Sequence, residues 1–416
     1  MKETRIWIVA DRQYRGYERL RVKIMKISEL LQRIDYMVLQ GNLSDEVTGI
    51  CHDNRMIQEG DAFICISGAR FDTHTMAKEL AKKAALLVVE KPVELEDGCK
   101  TAVVQVASTR DIVAALAAAF YGYPSEKVVC IGITGSKGKT TCTHMMADIL
   151  RAAGYLTGTI GTNGAIMPAG CDHAVWGSDK YSCAPCNETP GYDCYELNNT
   201  TPDPMELQMY LAMMVKAGCT HVVLEVSSQG MKQKRVATVD FAYGVWTNIE
   251  TGDHIGPNEH KDFEEYLYCK AMLLNQSRRA YVNCDDRHLD AFMKYVTLSD
   301  GSDGRTKQVF YYGEGEKADY RIGNLKKSQN GVLEAPGIEF TISGALDADI
   351  RVNLPGDFNK EAKDSIRRIS DSRPALLAEL LKAQSVYPAI FQIFCKVSLR
   401  IPGISSGSTP RDWEEK

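Results

Sequence analysis

Apolar and polar positions in the middle of the chain fall into blocks that change period from strand-like to helix-like. The β-branched run Val128–Thr134 is followed by a segment in which Met146, Ile149, Leu150 and Ala153 recur at helical spacing. Because short apolar runs and longer amphipathic segments continue to alternate, the pattern predicts a mostly parallel sheet with helices on its faces. We expect strands at 128–134, 155–162, 220–227, 241–247 and 280–283, and helices at 139–153, 205–216 and 262–275.

A smaller unit precedes this alternating region, and the turn-rich sequence Tyr121-Gly-Tyr-Pro-Ser predicts the boundary between the two. The predicted fold class is therefore α/β, with a small N-terminal α/β domain and a central domain that ends in a small β appendage at 319–353. In the small domain we expect a helix at 76–84, strands at 85–90 and 101–106, and an Ala-rich helix at 108–121. The domains we assign are an extension at 1–24, the N-terminal domain at 25–122, the central domain at 123–356 and a tail at 357–416.

Composition narrows the classes of function. The net charge of −5 and the pI near 6.0 argue against non-specific nucleic-acid binding, so we expect no nucleic-acid partner. The thirteen cysteines lie mostly within apolar stretches, which suits reduced thiols in a reducing compartment. No uncharged apolar run approaches the roughly 18 residues of a membrane-spanning helix. We expect a cytoplasmic protein without membrane insertion, and we take it to be a monomer.

The sequence Gly132-Ile-Thr-Gly-Ser-Lys-Gly-Lys-Thr-Thr joins the first predicted strand of the central domain to its helix. Glycines in such a loop let backbone N–H groups approach a polyphosphate, the last lysine reaches the outer phosphates, and the threonine after it suits Mg²⁺. The pattern indicates an ATP site, and a glycine turn without a ligand is the alternative. The predicted nucleotide-binding residues of the loop are Gly135, Ser136, Lys137, Gly138, Lys139, Thr140 and Thr141.

Three ionisable residues lie in or after the later elements, and open α/β sheets bind ligands at the carboxyl ends of their strands. Glu225 lies in an apolar strand, where a carboxylate is costly to bury unless it meets a cation. His254 follows Asp253 beyond the next strand, and Lys270 has apolar neighbours on a helix. Each has a structural alternative: an arginine partner for the glutamate, solvent for the histidine and an extended apolar stem for the lysine. Because the glycine loop would hold Mg²⁺ through Thr140, and Mg²⁺ needs oxygen ligands nearby, we expect these three residues to serve the metal site.

Six motifs follow one another in a specific order and spacing. They are Gly132–Thr141, Asn199-Thr-Thr-Pro, Glu225–Arg235, Thr247-Asn followed by Asp253-His, Tyr266–Lys270 and Asn283-Cys-Asp-Asp. This arrangement resembles the Mur ligase family, and within it the MurE branch of UDP-N-acetylmuramoyl-tripeptide synthetases. The resemblance extends over residues 25–359, and Asp53-Asn-Arg with Gly60-Asp-Ala-Phe resembles the UDP-binding domain of the MurE and MurF branches.

The resemblance implies an ATP-dependent amide ligation. In the family, ATP phosphorylates the free carboxylate of a UDP-muramoyl peptide, and the amine of an amino acid then attacks the acyl phosphate. For this chain it implies the addition of L-lysine or meso-diaminopimelate to UDP-N-acetylmuramoyl-L-alanyl-D-glutamate, in peptidoglycan precursor synthesis. Phosphoryl transfer to a carboxylate requires that several negative oxygens be neutralised, so Mg²⁺ ions and Lys139 suit this chemistry.

The resemblance also implies roles for single residues. The first Mg²⁺ would be held by Thr140 and Glu225, and the second by His254 and by Lys270 as an N-carbamate. The predicted catalytic residues are Lys139, Glu225, His254 and Lys270.

The remaining roles concern the nucleotide and the muramoyl peptide. Asn248 and Asn283 would complete the nucleotide site, with Asn283 against the adenine. Asn54 and Arg55 stand where the family has its uridine contacts, although the family has serine at position 54. Donors and one strong cation suit the carboxylate and pyrophosphate of the precursor. The predicted substrate-binding residues are Asn54, Arg55, Thr200, Thr201, Ser227, Gln233 and Arg235.

The chain departs from the family pattern in an insertion at 167–197. The insertion contains one Cys-x-x-Cys pair and further potential ligands, so it predicts either a zinc knuckle or a plain flexible loop with free thiols. Its candidate ligands are Cys171, His173, Cys183, Cys186 and Cys194.

A second departure follows Leu354-Pro-Gly-Asp-Phe-Asn, which resembles the family's hinge to a third, Rossmann-like domain. The tail after it carries none of that domain's motifs and predicts a basic helix at 363–382, so we expect the usual third domain to be missing. A frameshifted or substituted terminus and a remodelled shorter domain are the two explanations. The alternatives to a tripeptide synthetase are a catalytically impaired two-domain homologue that binds nucleotide or precursor, and a ligase for another acid.

Overall fold

The computed structural model describes residues 24–68, 71–169, 183–186, 189–252, 254–257, 259–297, 308–327, 338–344 and 348–352. The expected extension, except for Ile24, and the expected tail lie outside these ranges, as do Asp253 and two of the five candidate zinc ligands, Cys171 and His173. Among the residues that the structure describes, no helix has the length and apolar character to cross a bilayer.

The N-terminal unit is a five-stranded sheet in the order β2-β7-β6-β5-β4, with a separate antiparallel pair formed by β1 and β3. Strands β4 to β7 run parallel, and β2 joins the edge antiparallel to β7. The elements are β1 Met25–Lys26, α1 Ile27–Leu30, β2 Met37–Gln40, β3 Glu46–Val47, β4 Gly49–Cys51, β5 Asp61–Ile64, a 3₁₀ turn Thr73–Met76, α2 Ala77–Leu80, β6 Leu86–Val89, β7 Ala102–Gln105 and α3 Thr109–Phe120.

The central unit is built on one twelve-stranded sheet in the order β11-β12-β10-β9-β13-β8-β14-β15-β16-β17-β18-β19. The elements are a 3₁₀ turn Pro124–Glu126, β8 Val129–Thr134, α4 Lys139–Ala152, β9 Thr157–Gly161, β10 Gly164–Pro168, β11 Cys183–Pro185, β12 Tyr192–Tyr195, α5 Pro204–Lys216, β13 His221–Glu225, α6 Ser228–Lys232, β14 Phe241–Trp246, α7 Phe263–Gln276, β15 Ser277–Asn283, α8 Leu289–Met293, β16 Gln308–Gly313, β17 Tyr320–Lys327, β18 Ile338–Gly344 and β19 Ala348–Val352.

The middle of this sheet is parallel from β9 to β17, and antiparallel strands extend both ends. Strands β8, β13 and β14 are adjacent, so the chain after each of them emerges at one common edge. The glycine loop, the residue Glu225 and the segment beginning at Thr247 are therefore neighbours. The expected α/β class with a mostly parallel sheet is confirmed.

Local hydrogen bonds explain where the observed elements differ from the predicted ones. The strand expected from residue 155 begins at Thr157, because Tyr155 N–H donates to Leu150 O at 3.0 Å and so still belongs to the end of α4. The helix expected at 76–84 is instead a 3₁₀ turn followed by the short α2, and Asp72 caps the turn by accepting the His74 N–H.

One further expectation needs correction. The described part of the insertion at 167–197 is not a plain loop, because β12 pairs with β10 and β11 pairs with β12, which lengthens the sheet at its edge. The expected β appendage does form strands, and these belong to the same sheet, because β17 runs parallel to β16 and pairs with β18, which pairs with β19. Strands at an open edge have unpaired backbone groups, which explains why added segments join the sheet there.

The core of the central unit is packed closely where α7 crosses β8. Leu273 of α7 and Phe241 of β14 are both fully buried over Gly132. A Cβ on Gly132 would lie 2.7 Å from Leu273 Cδ1, so the glycine allows the helix to approach the strand.

We expect Leu273→Ala to lower the free energy of unfolding by about 2–5 kcal/mol, because it leaves a cavity in this packed layer. Urea denaturation followed by circular dichroism measures the change. The matched control is Leu156→Ala, since the Leu156 side chain is 46% exposed, and an equal loss in both variants would contradict the assignment.

Candidate active site

The glycine loop connects β8 to α4 and has backbone conformations that require glycine. Gly138 caps α4 with φ +84°, and Gly135 has φ +155°. A Cβ on Gly135 would lie 1.8 Å from Thr247 Oγ1, so a side chain cannot be accommodated there. The loop thus directs backbone N–H groups and the start of α4 toward one space, as an anion site requires.

Thr247 and Asn248, at the end of β14, fasten this loop. The Lys137 N–H donates to Asn248 Oδ1 at 2.9 Å, and Asn248 Nδ2 donates to the Lys137 carbonyl at 3.1 Å. Thr247 Oγ1 donates to the same carbonyl at 2.8 Å, and Ser136 N–H donates to Asn248 O at 3.0 Å. Asn248 was predicted to bind nucleotide, and here its side chain shapes the loop that would do so.

Two lysine ammonium groups meet at the Gly135 carbonyl. Lys139 Nζ donates to it at 2.9 Å and to Ser136 O at 3.1 Å. Lys270 Nζ donates to it at 2.8 Å, although Lys270 is only 1% exposed, and its Nζ lies 4.6 Å from the centroid of the Tyr266 ring. The structure therefore places the helix lysine against the glycine loop, and the interpretation of an apolar stem reaching solvent is wrong for Lys270.

Glu225 lies at the end of β13, and its carboxylate is buried, because the residue is only 1% exposed. Its Oε2 accepts the Thr140 hydroxyl at 2.9 Å and the Thr162 hydroxyl at 3.2 Å, and its Oε1 accepts the Thr162 N–H at 2.9 Å. The carboxylate thus meets the first turn of α4, not an arginine. Burial raises the pKa of Glu225, while the hydrogen bonds and the charge of Lys139 oppose that rise.

Gly161 makes room for this carboxylate at the end of β9. A Cβ there would lie 2.2 Å from Glu225 Oε1. Sequence analysis missed both Gly161 and Thr162. The available signal was their position at the end of a predicted strand, the edge of an α/β sheet at which ligand-binding residues collect.

The predicted substrate-binding residues of the central unit come together beside Glu225. Thr201 Oγ1 donates to the Glu225 carbonyl at 2.9 Å and accepts the Ser227 N–H at 2.9 Å. Thr200 Oγ1 lies 3.2 Å from Thr162 Oγ1. Arg235 donates to Thr201 O at 2.6 Å.

Arg235 is also held by Gln233, whose Oε1 accepts its Nε at 3.0 Å and its Nη2 at 2.7 Å. Burial lowers the pKa of the Arg235 guanidinium from its ordinary value, and the nearby carboxylates of Asp203 and Glu206 oppose that shift. The guanidinium is fixed in direction before any ligand arrives, which suits recognition of a carboxylate or phosphate.

Asn54 and Arg55 lie on the loop after β4, in the N-terminal unit. Asn54 Nδ2 lies 3.4 Å from Met76 Sδ, and Arg55 forms an ion pair with Asp53 at 2.6 Å. The neighbouring His52 has its Nε2 3.7 Å from Asp203 Oδ2, at the start of α5. The loop that carries the two residues therefore faces the segment that follows Thr200 and Thr201, as a ligand spanning both units would need.

His254 and Asn283 each contact a residue near the glycine loop. The His254 ring is 5.9 Å from the centroid of Tyr266, the same ring that Lys270 contacts, and its Nδ1 is 3.1 Å from Glu259 Oε1. Asn283 Nδ2 donates to Thr247 O at 2.8 Å, so this residue supports the segment after β14 that fastens the glycine loop.

The donor set suits one type of metal ion. A carboxylate and a threonine hydroxyl 2.9 Å apart at the start of α4 are hard oxygen donors, and Mg²⁺ is usually bound by one or two carboxylates together with phosphate oxygens. Within the described ranges, no three His, Cys, Asp or Glu side chains converge as a metal cage. In the insertion, Cys171 and His173 lie outside the described residues, while Cys194 Sγ donates to Asn163 O at 3.2 Å.

Comparison with known proteins identifies the fold and the family of this arrangement. Residues 133–361 match the family model described as the Mur ligase middle domain. A solved structure of a UDP-N-acetylmuramoyl-L-alanyl-D-glutamate–2,6-diaminopimelate ligase superposes with a TM-score of 0.59 at 20% identity, covering 86% of this chain and 66% of that one. At that identity the superposition shows the fold alone.

Curated relatives carry the same description. The ligase of that name from Clostridium perfringens is 30% identical over 336 residues, which are 80% of this chain and 62% of the relative. Its counterpart from Bacillus cereus is 31% identical over 346 residues, covering 80% and 61%. The chain thus spans about three fifths of the length of the curated relatives it matches.

We expect Glu225→Gln to stabilise the protein while removing its response to Mg²⁺. A carboxyl whose folded-state pKa is raised contributes stability that is present below its unfolded pKa, usually 4.5, and lost as the pH rises through the raised value. Wild type and variant should therefore melt alike at acid pH, and the variant should melt a few degrees higher at neutral pH.

Differential scanning fluorimetry against pH, with and without Mg²⁺ and ADP, tests this expectation. Thr143→Val is the control, because Thr143 is also buried in α4 but does not contact Glu225 in the described contacts. A Glu225→Gln variant that melts lower than wild type at neutral pH, or that keeps the full Mg²⁺-dependent shift, would contradict the role assigned to the carboxylate.

Proposed function

We propose, since the chain belongs to the Mur ligase family, that it is an ATP-dependent amide ligase acting on a UDP-muramoyl peptide. The proposed reaction adds a third amino acid to UDP-N-acetylmuramoyl-L-alanyl-D-glutamate through an acyl phosphate. The names of the relatives favour diaminopimelate over L-lysine as that amino acid. The proposal includes a cytoplasmic location and a monomeric state.

The observation that carries the proposal is the hydrogen-bonded junction at the end of β13. One residue, Thr201, bonds to both Glu225 and Ser227, while the Glu225 carboxylate meets Thr140 at the start of α4. The residues proposed for the phosphates and those proposed for the precursor are therefore parts of one network. Phosphoryl transfer between two bound substrates depends on such positioning.

The charges at the site suit transfer of a phosphoryl group to a carboxylate. Lys139 and the start of α4 present positive charge to the phosphates, and bound Mg²⁺ would supply more at Glu225 and Thr140. We assign Lys139 to the outer phosphates, Arg235 to an anionic group of the precursor and Asn283 to the adenine side. The Gly135 carbonyl accepts hydrogen bonds from both Lys139 and Lys270. Nucleotide binding would therefore require the Lys139 ammonium to leave this carbonyl and bind phosphate oxygens.

Lys270 fits the proposed N-carbamate in one respect. Its Nζ donates to Gly135 O at 2.8 Å, and a carbamate nitrogen retains one N–H that can make the same bond. The modification would convert a buried cation into an anion beside the ring of Tyr266, whose centroid is 5.9 Å from that of the His254 ring. We keep His254 and modified Lys270 as the proposed ligands of a second Mg²⁺.

We expect the purified chain to release phosphate from ATP only when Mg²⁺, the UDP-muramoyl dipeptide and the correct amino acid are all present. Assays with meso-diaminopimelate and with L-lysine, run side by side, identify the amino acid. Lys139→Ala should lower the rate about 100-fold or more, because it removes a charge that acts on the transferred group.

The matched control is Lys100→Ala, since Lys100 is exposed and lies in the N-terminal unit. An equal loss of the phosphate-release rate in the two lysine variants would contradict the assignment of Lys139 to the outer phosphates. Binding of Mg·ADP and precursor without turnover by the wild-type chain would favour the alternative of a binding homologue, and binding of neither would overturn the proposal.

A further inference from the structure

We propose that Glu265 is a positioning residue that joins the precursor side of the site to the loop carrying His254. The described residues 254–257 and 259–261 are called the histidine loop here. The inference rests on the proposed function for the identity of the precursor, but its geometry concerns only how α6, the histidine loop and α7 are held together.

The first contact is an ion pair between α6 and α7. Lys232, the last residue of α6, donates from Nζ to Glu265 Oε2 at 2.8 Å. The same ammonium donates to the Glu259 carbonyl at 2.8 Å. Helix α6 begins at the cap Ser227 and leads toward Arg235, so Lys232 belongs to the segment proposed to bind the precursor.

The second contact fixes the histidine loop to the same carboxylate oxygen. Lys261 N–H donates to Glu265 Oε2 at 2.9 Å, and His260 Nδ1 lies 3.4 Å from that oxygen. The Glu265 backbone N–H is bound in turn by Asp262 Oδ1 at 2.8 Å, which caps α7. One oxygen atom therefore receives contacts from two chain segments, while its own residue is anchored in a third.

The histidine loop has features that require an external anchor. His254 has φ +56°, a left-handed conformation that residues other than glycine adopt at a cost. His260 is fully buried against Tyr266, and its Nε2 has no hydrogen-bond partner among the described residues. The backbone N–H of His260 donates to the His254 carbonyl at 3.0 Å, so a displacement of His260 would also displace His254.

The next residue along α7 extends this connection to the phosphate loop. Tyr266 OH lies 2.8 Å from Ser136 Oγ, and Ser136 Oγ accepts the Glu250 N–H at 2.9 Å. Glu265 and Tyr266 thus connect α6, the histidine loop and the glycine loop through the first turn of α7. A shift of α6 on precursor binding would be passed to both sides of the nucleotide site.

Exposure separates this role from a purely stabilising one. The Lys232 and Glu265 side chains are 35% and 23% exposed, and partly exposed ion pairs contribute little to global stability. The Lys232 bond lowers the pKa of Glu265 to about 2, so the carboxylate is charged at neutral pH. Loss of the pair should therefore change ligand binding more than the melting temperature.

The test uses Glu265→Gln, Lys232→Met and the double variant of the full chain, with Mg·ADP and UDP-N-acetylmuramoyl-L-alanyl-D-glutamate as probes. Calorimetry gives the dissociation constant of Mg·ADP with and without saturating precursor. We expect precursor to strengthen Mg·ADP binding of the wild type by at least about five-fold, and this coupling to be lost in each variant. The double variant should lose no more than either single one.

Lys261→Met is the matched control, because among the described residues the Lys261 side chain pairs only with the exposed Asp262, while its backbone N–H still donates to Glu265. Lys261→Met should bind Mg·ADP and precursor like wild type. Lys232→Arg, which keeps a cation opposite Glu265, should retain part of the coupling that Lys232→Met loses. Unchanged Mg·ADP affinity and coupling in Glu265→Gln, or additive losses in the double variant, would overturn the proposal. A drop in melting temperature without a change in binding would show a structural role only.

Failure of the proposed function remains distinguishable from failure of this inference. If the wild-type chain binds both probes but shows no turnover, the ligase assignment fails while the coupling is still measured. If it does not bind the precursor, the function fails, and the inference is then decided by Mg·ADP alone: Glu265→Gln must weaken Mg·ADP binding relative to Lys261→Met, or the inference is wrong as well.

Discussion

The buried carboxylate of Glu225 is the constraint on which the arrangement of the site depends. A charge in this position is unfavourable unless donors surround it, and the three donors come from the starts or ends of α4 and β9. These hydrogen bonds bring the glycine loop, the end of β9 and the end of β13 to one place. The end of β13 also leads into Ser227, and Thr201 bonds to both Glu225 and Ser227. The position of one carboxylate is therefore linked to the residues proposed for the phosphates and to those proposed for the precursor.

The parallel core of the sheet makes this convergence possible. Because β8, β13 and β14 are neighbours, their carboxyl ends bring together residues that are about 110 positions apart in the chain, such as Lys137 and Asn248. The insertion and the strands after β16 lengthen the sheet at its two ends instead. Extra chain is accommodated there without changing the spacing of the central strands.

Much of the fold and part of the site could be predicted from the sequence, for identifiable reasons. The helix of Lys139 and the strand of Glu225 have strong periodicity, so their positions were correct to within a few residues. The glycine loop was recognisable because its chemistry is local. The partners of Glu225 were not predictable, because Thr162 carries no distinctive local pattern and acts only through a strand that is distant in sequence. Likewise, nothing local to Asn248 reveals that its amide clamps the backbone of Lys137.

Gly161 illustrates how a residue without a functional group can behave as part of an active site. Every missense change at its codon introduces a Cβ, and that atom would fall 2.2 Å from the oxygen of Glu225. A saturation library scored for growth or activity would therefore mark position 161 as intolerant, together with residues that contact ligands. Sensitivity in such a genetic map would reflect the space that the carboxylate occupies, and chemical participation would have to be established separately.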